Sequence, residues 1–335
     1  MRPINNIRRH SSLLLLALLI LAGGAAAPAY PARASTQHVT LWLDWYPNSD
    51  HAGIYVAMAK GYYARAGIDV TAQVPPGAAD ALKLLAHGDG DIAISYEPSV
   101  LLARAAGLPV VATAAIVHRP LNCIMTLASS GITRPRQLEG RTVGIAGVPS
   151  DYTDIKAAVG GDGGDPSKVK TVVLNYALLQ GLLSRRVDAV EGVYWTWEAL
   201  QAEQSGHKVN VMHLDRYGMP TYDELVLVSS AARARQEAAT LRAFQRATFE
   251  GYAYAIKHPA EATSILLKVK GVLSSSRGLI EQSIHLLSPI FTDEQGHFGT
   301  LSATRWQRYA NWMTAHKLLP RHVDASAAMT MQLLP

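Results

Sequence analysis

The sequence predicts an α/β fold of two Rossmann-like lobes joined by a hinge of two chain segments. Short apolar runs alternate with amphipathic helical stretches, which is the pattern of βαβ units. Glycine follows closely after three of the predicted helices, at Gly67, Gly88 and Gly107, where it supplies the left-handed conformation of a C-cap. The chain is also longer than a usual single domain, so two hydrophobic cores are expected.

The first lobe begins with a regular alternation of strands and helices. Because helices separate successive strands, we expect a parallel sheet. The predicted strands are 39–44, 68–74, 91–95 and 109–117, and the predicted helices are 52–66, 78–86 and 98–106. The first of these helices is expected to start near Ser49 or Asp50, which are both good N-cap residues.

A second set of elements follows the same pattern. Its predicted strands are 122–128, 142–147, 169–175, 188–193 and 208–214, with helices near 150–159, 176–186 and 195–205. The glycine-rich run 160–166 is expected to be a loop, and a strand at 224–229 precedes a mostly helical remainder that starts near 231–257. We therefore predict lobe 1 from 35–118 and 226–335, and lobe 2 from 119–225, with crossings near 117–122 and 220–227. Two independent domains with one crossing are the alternative.

Residues 1–34 have the features of a cleavable secretory signal peptide. Basic residues precede an apolar run from Leu13 to Ala22, which is shorter than the roughly 20 residues that a membrane span needs. Ala32-Arg33-Ala34 then provides a cleavage motif of small residues. We expect export to the periplasm by the general secretory route, with cleavage near Ala34. A retained anchor or a buried helix is the alternative.

Charge and cysteine content exclude several classes of function. Removal of the four arginines of the leader lowers the net charge from +5 to +1, and no stripe of Lys and Arg with interleaved aromatics is present, so no nucleic-acid partner is expected. The single cysteine, Cys123, excludes an intramolecular disulfide and a cysteine zinc cluster. We expect a monomer without metal or cofactor.

The loop after the first predicted strand is the main candidate site. Trp45, Tyr46, Asn48 and His51 lie within seven residues, at the carboxyl end of a strand, where open α/β sheets bind ligands. Aromatic faces with neutral hydrogen-bonding groups suit a flat, uncharged, nitrogen-rich ring. The alternative is a wedge of core aromatics at the edge of the sheet.

Three further positions are candidates for ligand contact. Tyr194 and Glu198 are spaced to share one face of a helix, where they would offer a ring for stacking and a carboxylate for an exocyclic amine. Tyr96 and Glu97 follow the strand 91–95, and Ser150 lies in the strand-to-helix connection 147–152. Glu198 as a solvated helix residue, Glu97 as a partner of its helix dipole, and Ser150 as a cap of its own helix are the alternatives.

Motifs of common enzymes are absent from the sequence. There is no G-x-S-x-G elbow, phosphate-binding glycine loop or H-E-x-x-H motif, and the twelve histidines are scattered. No catalytic residue is therefore predicted, and a binding protein is favoured over an enzyme.

The chain resembles a known family over about residues 38–315. The motif D-W-Y-P-N-x-x-H-x-G-x-Y-x-A at 44–57 and G-D-x-D-I-A-I-S at 88–95 are similar to those of periplasmic thiamine-pyrimidine-precursor binding proteins. The resemblance implies a type II periplasmic-binding-protein fold that delivers formylaminopyrimidine or hydroxymethylpyrimidine to an ABC permease with its ATPase. It also implies that Trp45, Asn48, Tyr194 and Glu198 line the pyrimidine site.

The same resemblance brings alternatives. Related fungal enzymes make the pyrimidine from histidine and pyridoxal phosphate, but they carry an H-C-C-C-F-C motif that this chain lacks. Other relatives bind riboflavin, nitrate, taurine or alkanesulfonates, and a periplasmic sensor domain is a third class of function. Sulfonate and nitrate suit cationic or amide-rich sites, so they fit the predicted aromatic and carboxylate residues poorly.

Overall fold

Two five-stranded sheets form the framework of the molecule. The computed structural model describes residues 36–272 and 275–334; the predicted signal peptide lies outside the described residues. The sheets have strand orders β2-β1-β3-β10-β4 and β7-β6-β8-β5-β9. The strands are β1 (Gln37–Trp42), β2 (Ile68–Gln73), β3 (Ile92–Ser95), β4 (Val110–Val117), β5 (Asn122–Leu127), β6 (Thr142–Ile145), β7 (Lys170–Val173), β8 (Ala189–Tyr194), β9 (Val209–His213) and β10 (Leu225–Ser230).

Twelve α-helices in the described residues connect and cover these strands. They are α1 (Ala52–Ala59), α2 (Tyr62–Arg65), α3 (Ala81–Ala86), α4 (Glu97–Ala105), α5 (Pro149–Gly161), α6 (Leu178–Leu183), α7 (Glu198–Gln204), α8 (Ala231–Gln236), α9 (Ala238–Lys257), α10 (Pro259–Leu266), α11 (Arg277–Leu287) and α12 (Ala303–Ala315). Among residues 36–272 and 275–334, none of the helices combines the length and the apolar character that a membrane span requires. We call the first sheet with its helices lobe 1, and the second sheet with its helices lobe 2.

Both sheets are mixed, which corrects the prediction of a parallel sheet. β1 pairs in parallel with β2 and β3, and β6 pairs in parallel with β7 and β8. β10 is antiparallel to β3 and β4, and β5 is antiparallel to β8 and β9. Parallel neighbours require a crossover connection, usually a helix. β5 and β10 instead arrive from the other sheet, so no helical crossover fixes their direction.

The chain passes between the two sheets twice. It leaves the first sheet after β4 and enters the second at β5, and it returns from β9 to β10, so the crossing segments are 118–121 and 214–224. Glu224 ties these segments together, because its Oε2 atom accepts hydrogen bonds from the backbone N–H groups of Leu121 (2.7 Å) and Asn122 (3.0 Å).

Glycines explain where the helices depart from the predicted bounds. The helix predicted at 52–66 is divided into α1 and α2, because Gly61 between them has a φ of 70°. The helix predicted from 231 to 257 is also divided, but at Glu237, whose φ of −119° and ψ of 32° depart from helical values without a glycine. In contrast, α5 continues through Gly160 and Gly161 into the run predicted to be a loop. A Cβ atom on Gly161 would lie 1.9 Å from the carbonyl oxygen of Tyr217, so only glycine fits there.

A close helix contact fixes the position of the segment that follows β1. α1 and α9 approach so closely that a Cβ atom on Gly251 would lie 1.9 Å from the carbonyl oxygen of Gly53. On the same side, the Tyr252 hydroxyl of α9 donates a hydrogen bond to the carbonyl oxygen of Asp50 (2.7 Å). The start of α1, and the loop before it, are therefore held against the helical layer of lobe 1.

Candidate functional site

A small cavity lies between the lobes, beside the crossing segments. Lobe 1, lobe 2 and the returning segment all contribute to its wall. The lining residues are Trp45, Tyr96, Pro98, Asn122, Ala146, Val148, Ser150, Asp151, Asp154, Gly192, Tyr194, Tyr222 and Glu224. Its volume of about 20 Å³ is enough for about one water molecule, so the lobes are closed around it. We call this space the cleft cavity.

The loop of lobe 1 is ordered by its own polar side chains. Asn48 is the N-cap of a 3-10 turn at Ser49–His51, and its Oδ1 atom accepts a hydrogen bond from the N–H of Asp50 (2.8 Å). The sequence predicted Ser49 or Asp50 as the cap, and the structure corrects this to Asn48. Asn48 is 1% exposed and its Nδ2 atom has no hydrogen-bond partner, but the residue does not line the cleft cavity.

His51 lies behind this loop, and both of its ring nitrogens are engaged. Nδ1 accepts a hydrogen bond from the Asn48 N–H (3.3 Å), and Nε2 lies 2.9 Å from Oδ1 of Asp44. The other carboxylate oxygen of Asp44 accepts a hydrogen bond from the Tyr96 hydroxyl (3.2 Å). The ring of His51 thus orients Asp44, and Asp44 holds Tyr96 at the wall of the cleft cavity.

Tyr194 and Glu198 meet, but not on one helix face. Tyr194 ends β8 and Glu198 begins α7, which corrects the prediction that both belong to one helix. Pairing of Tyr194 with Asn122 of β5 keeps Tyr194 in the sheet, and a turn follows. The backbone N–H of Tyr194 donates to Oε2 of Glu198 (2.9 Å). Tyr194 lines the cavity, and its hydroxyl is buried without a hydrogen-bond partner.

Lobe 2 contributes a group of carboxyl side chains around Asn122. The side-chain amide nitrogen of Asn122 donates to Asp154 (3.1 Å) and to Glu191 (2.6 Å), and its oxygen accepts from the N–H of Gly192 (3.0 Å). Asp151 accepts hydrogen bonds from the N–H groups of Gly147 and Val148 at the start of α5. A single amide therefore separates two buried carboxyl groups.

Burial raises the pKa of these carboxyl groups. Loss of solvation raises the pKa of Asp151 and Glu224, which line the cleft cavity, to about 7 each, and it does the same for Glu198, which lies outside the lining. Burial also raises the pKa of Asp154 and Glu191 above the ordinary range, and neighbouring carboxylates raise it further. None of the residues that line the cleft cavity is Lys, Arg or His. At neutral pH the site therefore offers several hydrogen-bond acceptors and partly protonated acids, with no basic side chain in its wall.

Of the two remaining predicted site residues, Ser150 lies in the wall of the cleft cavity and Glu97 does not. Ser150 lines the cleft cavity, and its hydroxyl lies 3.0 Å from that of Ser99 in the opposite lobe. Glu97 is fully buried outside the lining, where its Oε2 atom accepts the N–H of Asp223 (2.8 Å). Arg305 and Trp306 donate to the carboxylate of Asp223, so Glu97 belongs to the packing beside the crossing segment.

Several residues that line the cleft cavity were not predicted from the sequence. Asp151 lies within the connection 147–152 that the sequence indicated, so its position at a helix N-terminus was an available signal. Four other lining residues had no sequence pattern around them that indicated a site, because their contacts depend on how β5, β8 and the crossing segments come together. They are Asn122, Asp154, Tyr222 and Glu224. Among the described residues, no group of three or more His, Cys, Asp or Glu side chains is arranged to hold a metal ion.

The two sheets and the closed cavity define the class of protein as a two-lobed periplasmic-binding-protein fold. The structure of the alkanesulfonate-binding protein SsuA from Xanthomonas axonopodis pv. citri superimposes with a TM-score of 0.70 at 15% identity, covering 89% of this chain and 99% of that one. Residues 48–262 match the family described as NMT1/THI5 like. The chain therefore belongs to the NMT1/THI5-like family.

Relatives in sequence include a binding protein and an enzyme. The formylaminopyrimidine-binding protein of Halalkalibacterium halodurans is 36% identical over 294 residues, covering 87% of this chain and 89% of its own length. The 4-amino-5-hydroxymethyl-2-methylpyrimidine phosphate synthase of Legionella pneumophila is 24% identical over 304 residues, covering 89% of this chain and 92% of its own length.

Proposed function

We propose that this protein is the substrate-binding component of an ABC importer for a thiamine pyrimidine precursor, of the formylaminopyrimidine or hydroxymethylpyrimidine type. The observation that carries the proposal is the cleft cavity between the lobes, which combines aromatic rings with several buried acceptors and no basic side chain. An aminopyrimidine presents N–H donors on a flat ring, so it complements both features. An anionic sulfonate or nitrate lacks a cationic partner in this wall.

The proposed contacts come from both lobes. Trp45 and Tyr96 of lobe 1 and Tyr194 of lobe 2 supply ring faces at the cavity. Ser150 and Glu224 of the lining supply hydrogen bonds. Glu198 and Asn48 lie outside the lining of the closed cavity, and in this proposal they reach the ligand when the lobes rearrange around it, where Glu198 accepts its N–H groups. Because the closed cavity has room for only about one water, the ligand binds when the lobes separate at the crossing segments, and the lobes then close on it.

Binding, and not catalysis, is the proposed role. The 36% identity to a binding protein over nearly the whole chain supports this role. The second candidate is a pyrimidine synthase that uses pyridoxal phosphate, which the relation to the Legionella pneumophila enzyme favours. Cys123 is buried and donates to a carbonyl oxygen of β8, so it does not present a reactive thiol at the cavity.

Location and partners follow from this role. We propose that residues 1–34 direct export and that the mature protein acts as a monomer in the periplasm. Its partners would be a membrane permease and a cytoplasmic ATPase. The proposed lobe bounds remain 35–118 with 226–335, and 119–225. The fold of the periplasmic proteins that superimpose on this chain supports the assignment.

Calorimetric titration tests the proposal with formylaminopyrimidine, hydroxymethylpyrimidine, thiamine, riboflavin, taurine and nitrate. We expect one of the first two to bind with the highest affinity. Glu198→Gln should weaken that binding by about tenfold to hundredfold, because a hydrogen bond to a charged group is worth about 1.5–3 kcal/mol. Glu203→Gln, an exposed position in the same helix, is the matched control and should bind like the original protein.

Two outcomes would contradict the proposal. Binding of taurine or nitrate without pyrimidine binding would show that the site selects anions. Retention of added pyridoxal phosphate, seen by its absorbance near the visible edge, with turnover to a pyrimidine, would establish the synthase instead.

A further inference from the structure

A second cavity adjoins the cleft cavity, and its wall is mainly apolar, whereas the wall of the cleft cavity contains several carboxyl groups. It has a volume of about 380 Å³, and its wall includes Ala79, Leu82, Leu102, Ala103 and Leu108 of lobe 1. Val148 and Pro149 of lobe 2 complete the wall, so the space lies between the lobes. Its charged lining residues are Asp44 and Lys83. We call this space the side pocket.

The side pocket and the cleft cavity share part of their walls. Tyr96 and Val148 line both spaces, so the two side chains form the partition between them. The Tyr96 hydroxyl donates to Asp44 (3.2 Å), and Asp44 also lines the side pocket. This hydrogen bond holds the tyrosine between the two spaces.

The two cavities differ greatly in volume, and the side pocket is the larger. The cleft cavity has room for about one water molecule, whereas a dry apolar cavity of about 150 Å³ is sufficient to bind benzene. The side pocket exceeds that volume and falls within the range of small-molecule pockets, about 300–1,000 Å³. The side pocket is therefore large enough to accept a six-membered ring with substituents without separation of the lobes.

We infer that the side pocket is a second subsite of the same ligand site, and that it accepts an apolar ring or alkyl group attached to the nitrogen-bearing ring. The inference rests on the proposed function. The carboxyl groups of the cleft cavity take the N–H edge of such a ligand, Tyr96 rotates out of the partition, and the apolar substituent enters between α4 and Pro149. The ligand class is a planar heteroaromatic amine with an apolar extension.

The contact between Ser99 and Ser150 supports one continuous site. These hydroxyls are 3.0 Å apart and connect the lobes; Ser99 lines the side pocket, and Ser150 lines the cleft cavity. A ligand that occupies both spaces would therefore be enclosed by the same lobe closure, without a separate lid.

Two probes and a filling variant test the inference by calorimetry. 4-Amino-5-hydroxymethyl-2-methylpyrimidine carries no apolar extension, and 4-amino-5-benzyl-2-methylpyrimidine carries a phenyl ring at the same position. We expect the benzyl probe to bind at least tenfold more tightly. Ala103→Phe should fill the side pocket and remove this advantage, while the affinity of the hydroxymethyl probe stays unchanged. Ala64→Phe, an exposed position in α2, is the matched control.

Each outcome separates this inference from the proposed function. Equal affinity of the two probes for the original protein would overturn the second subsite alone. Failure of both probes to bind while formylaminopyrimidine binds would also overturn the second subsite alone, and failure of all three compounds would overturn the proposed function and, with it, the inference. If circular dichroism shows that Ala103→Phe is not folded, Ala103→Leu replaces it, with a partial loss of the benzyl advantage as the expected result.

Discussion

Asn48 divides its side-chain amide between two tasks. The oxygen caps the 3-10 turn at Ser49–His51, and the nitrogen is buried without a hydrogen-bond partner. A buried N–H group without a partner costs free energy, so it is retained where another task requires it. We propose that this nitrogen donates to the ligand after the lobes rearrange around it.

Substitution of Asn48 by Ser and by Ala separates the two tasks. Serine keeps a cap oxygen, so Asn48→Ser should leave the free energy of unfolding nearly unchanged, whereas Asn48→Ala should lower it by about 1 kcal/mol. Both variants should lose pyrimidine affinity by about tenfold, because both lack the amide donor. Urea unfolding and calorimetric titration measure the two effects. Full affinity in Asn48→Ser would remove the amide from the site.

Three aromatic side chains, Trp45, Tyr46 and Tyr176, pack together between the lobes beside the cleft cavity, and we call them the aromatic clasp. Tyr176 of lobe 2 packs against Trp45 and Tyr46 of lobe 1, with ring centroids 4.8 Å and 4.6 Å apart. Its hydroxyl also donates to the carbonyl oxygen of Pro75 (2.8 Å). The neighbouring Asn175 accepts the N–H of Ala78 (3.0 Å). Each of these contacts joins lobe 1 to lobe 2, so separation of the lobes would break them.

Removal of the clasp should therefore weaken ligand binding. Each aromatic pair is worth about 1 kcal/mol, so Tyr176→Ala should raise the dissociation constant by about tenfold to hundredfold. The effect should appear mainly as faster dissociation, which stopped-flow fluorescence measures. Tyr152→Ala, an exposed tyrosine of α5 in the same lobe, is the control. If the two variants dissociate at equal rates, the clasp does not stabilise the liganded form.

Sequence patterns predicted the elements better than their directions and contacts. Runs of apolar and β-branched residues located the ten strands of the described residues, including β7, whose residues Lys170–Val173 are exposed. The antiparallel direction of β5 and β10 was missed, because direction depends on which sheet a strand joins. Glu224 was missed as a lining residue for the same reason, since its partner Leu121 is 103 residues away along the chain.

Across the whole molecule, the buried acids make stability depend on pH. The pKa values of Asp151, Glu198 and Glu224 are each raised to about 7 by burial, above the values of about 4 that the unfolded chain has. The folded protein therefore keeps protons that the unfolded chain releases between about pH 4 and pH 7. Folding is favoured most at the acidic end of this window, and the advantage is lost as the pH rises through 7.

The unliganded protein should accordingly be more stable at pH 5 than at pH 8. One pKa unit is worth about 1.4 kcal/mol, so a single group contributes on the order of 3 kcal/mol to the difference. Urea unfolding at pH 5, 6, 7 and 8 measures it, and Glu198→Gln should reduce the slope. A free energy of unfolding that rises from pH 5 to pH 8 would contradict this assignment.

Glu224 belongs to the wall of the cleft cavity and to the hinge at the same time. Its Oε2 atom accepts from Leu121 of one crossing segment, from Asn122 at the start of β5, and from the hydroxyl of Tyr222 in the other crossing segment (3.1 Å). These three donors all bind Oε2, so a ligand at the cleft cavity would reach the carboxyl group that joins the two segments through its other oxygen, Oε1. Ligand binding at Glu224 would therefore act directly on the contact between the crossing segments, because one carboxyl group belongs to both.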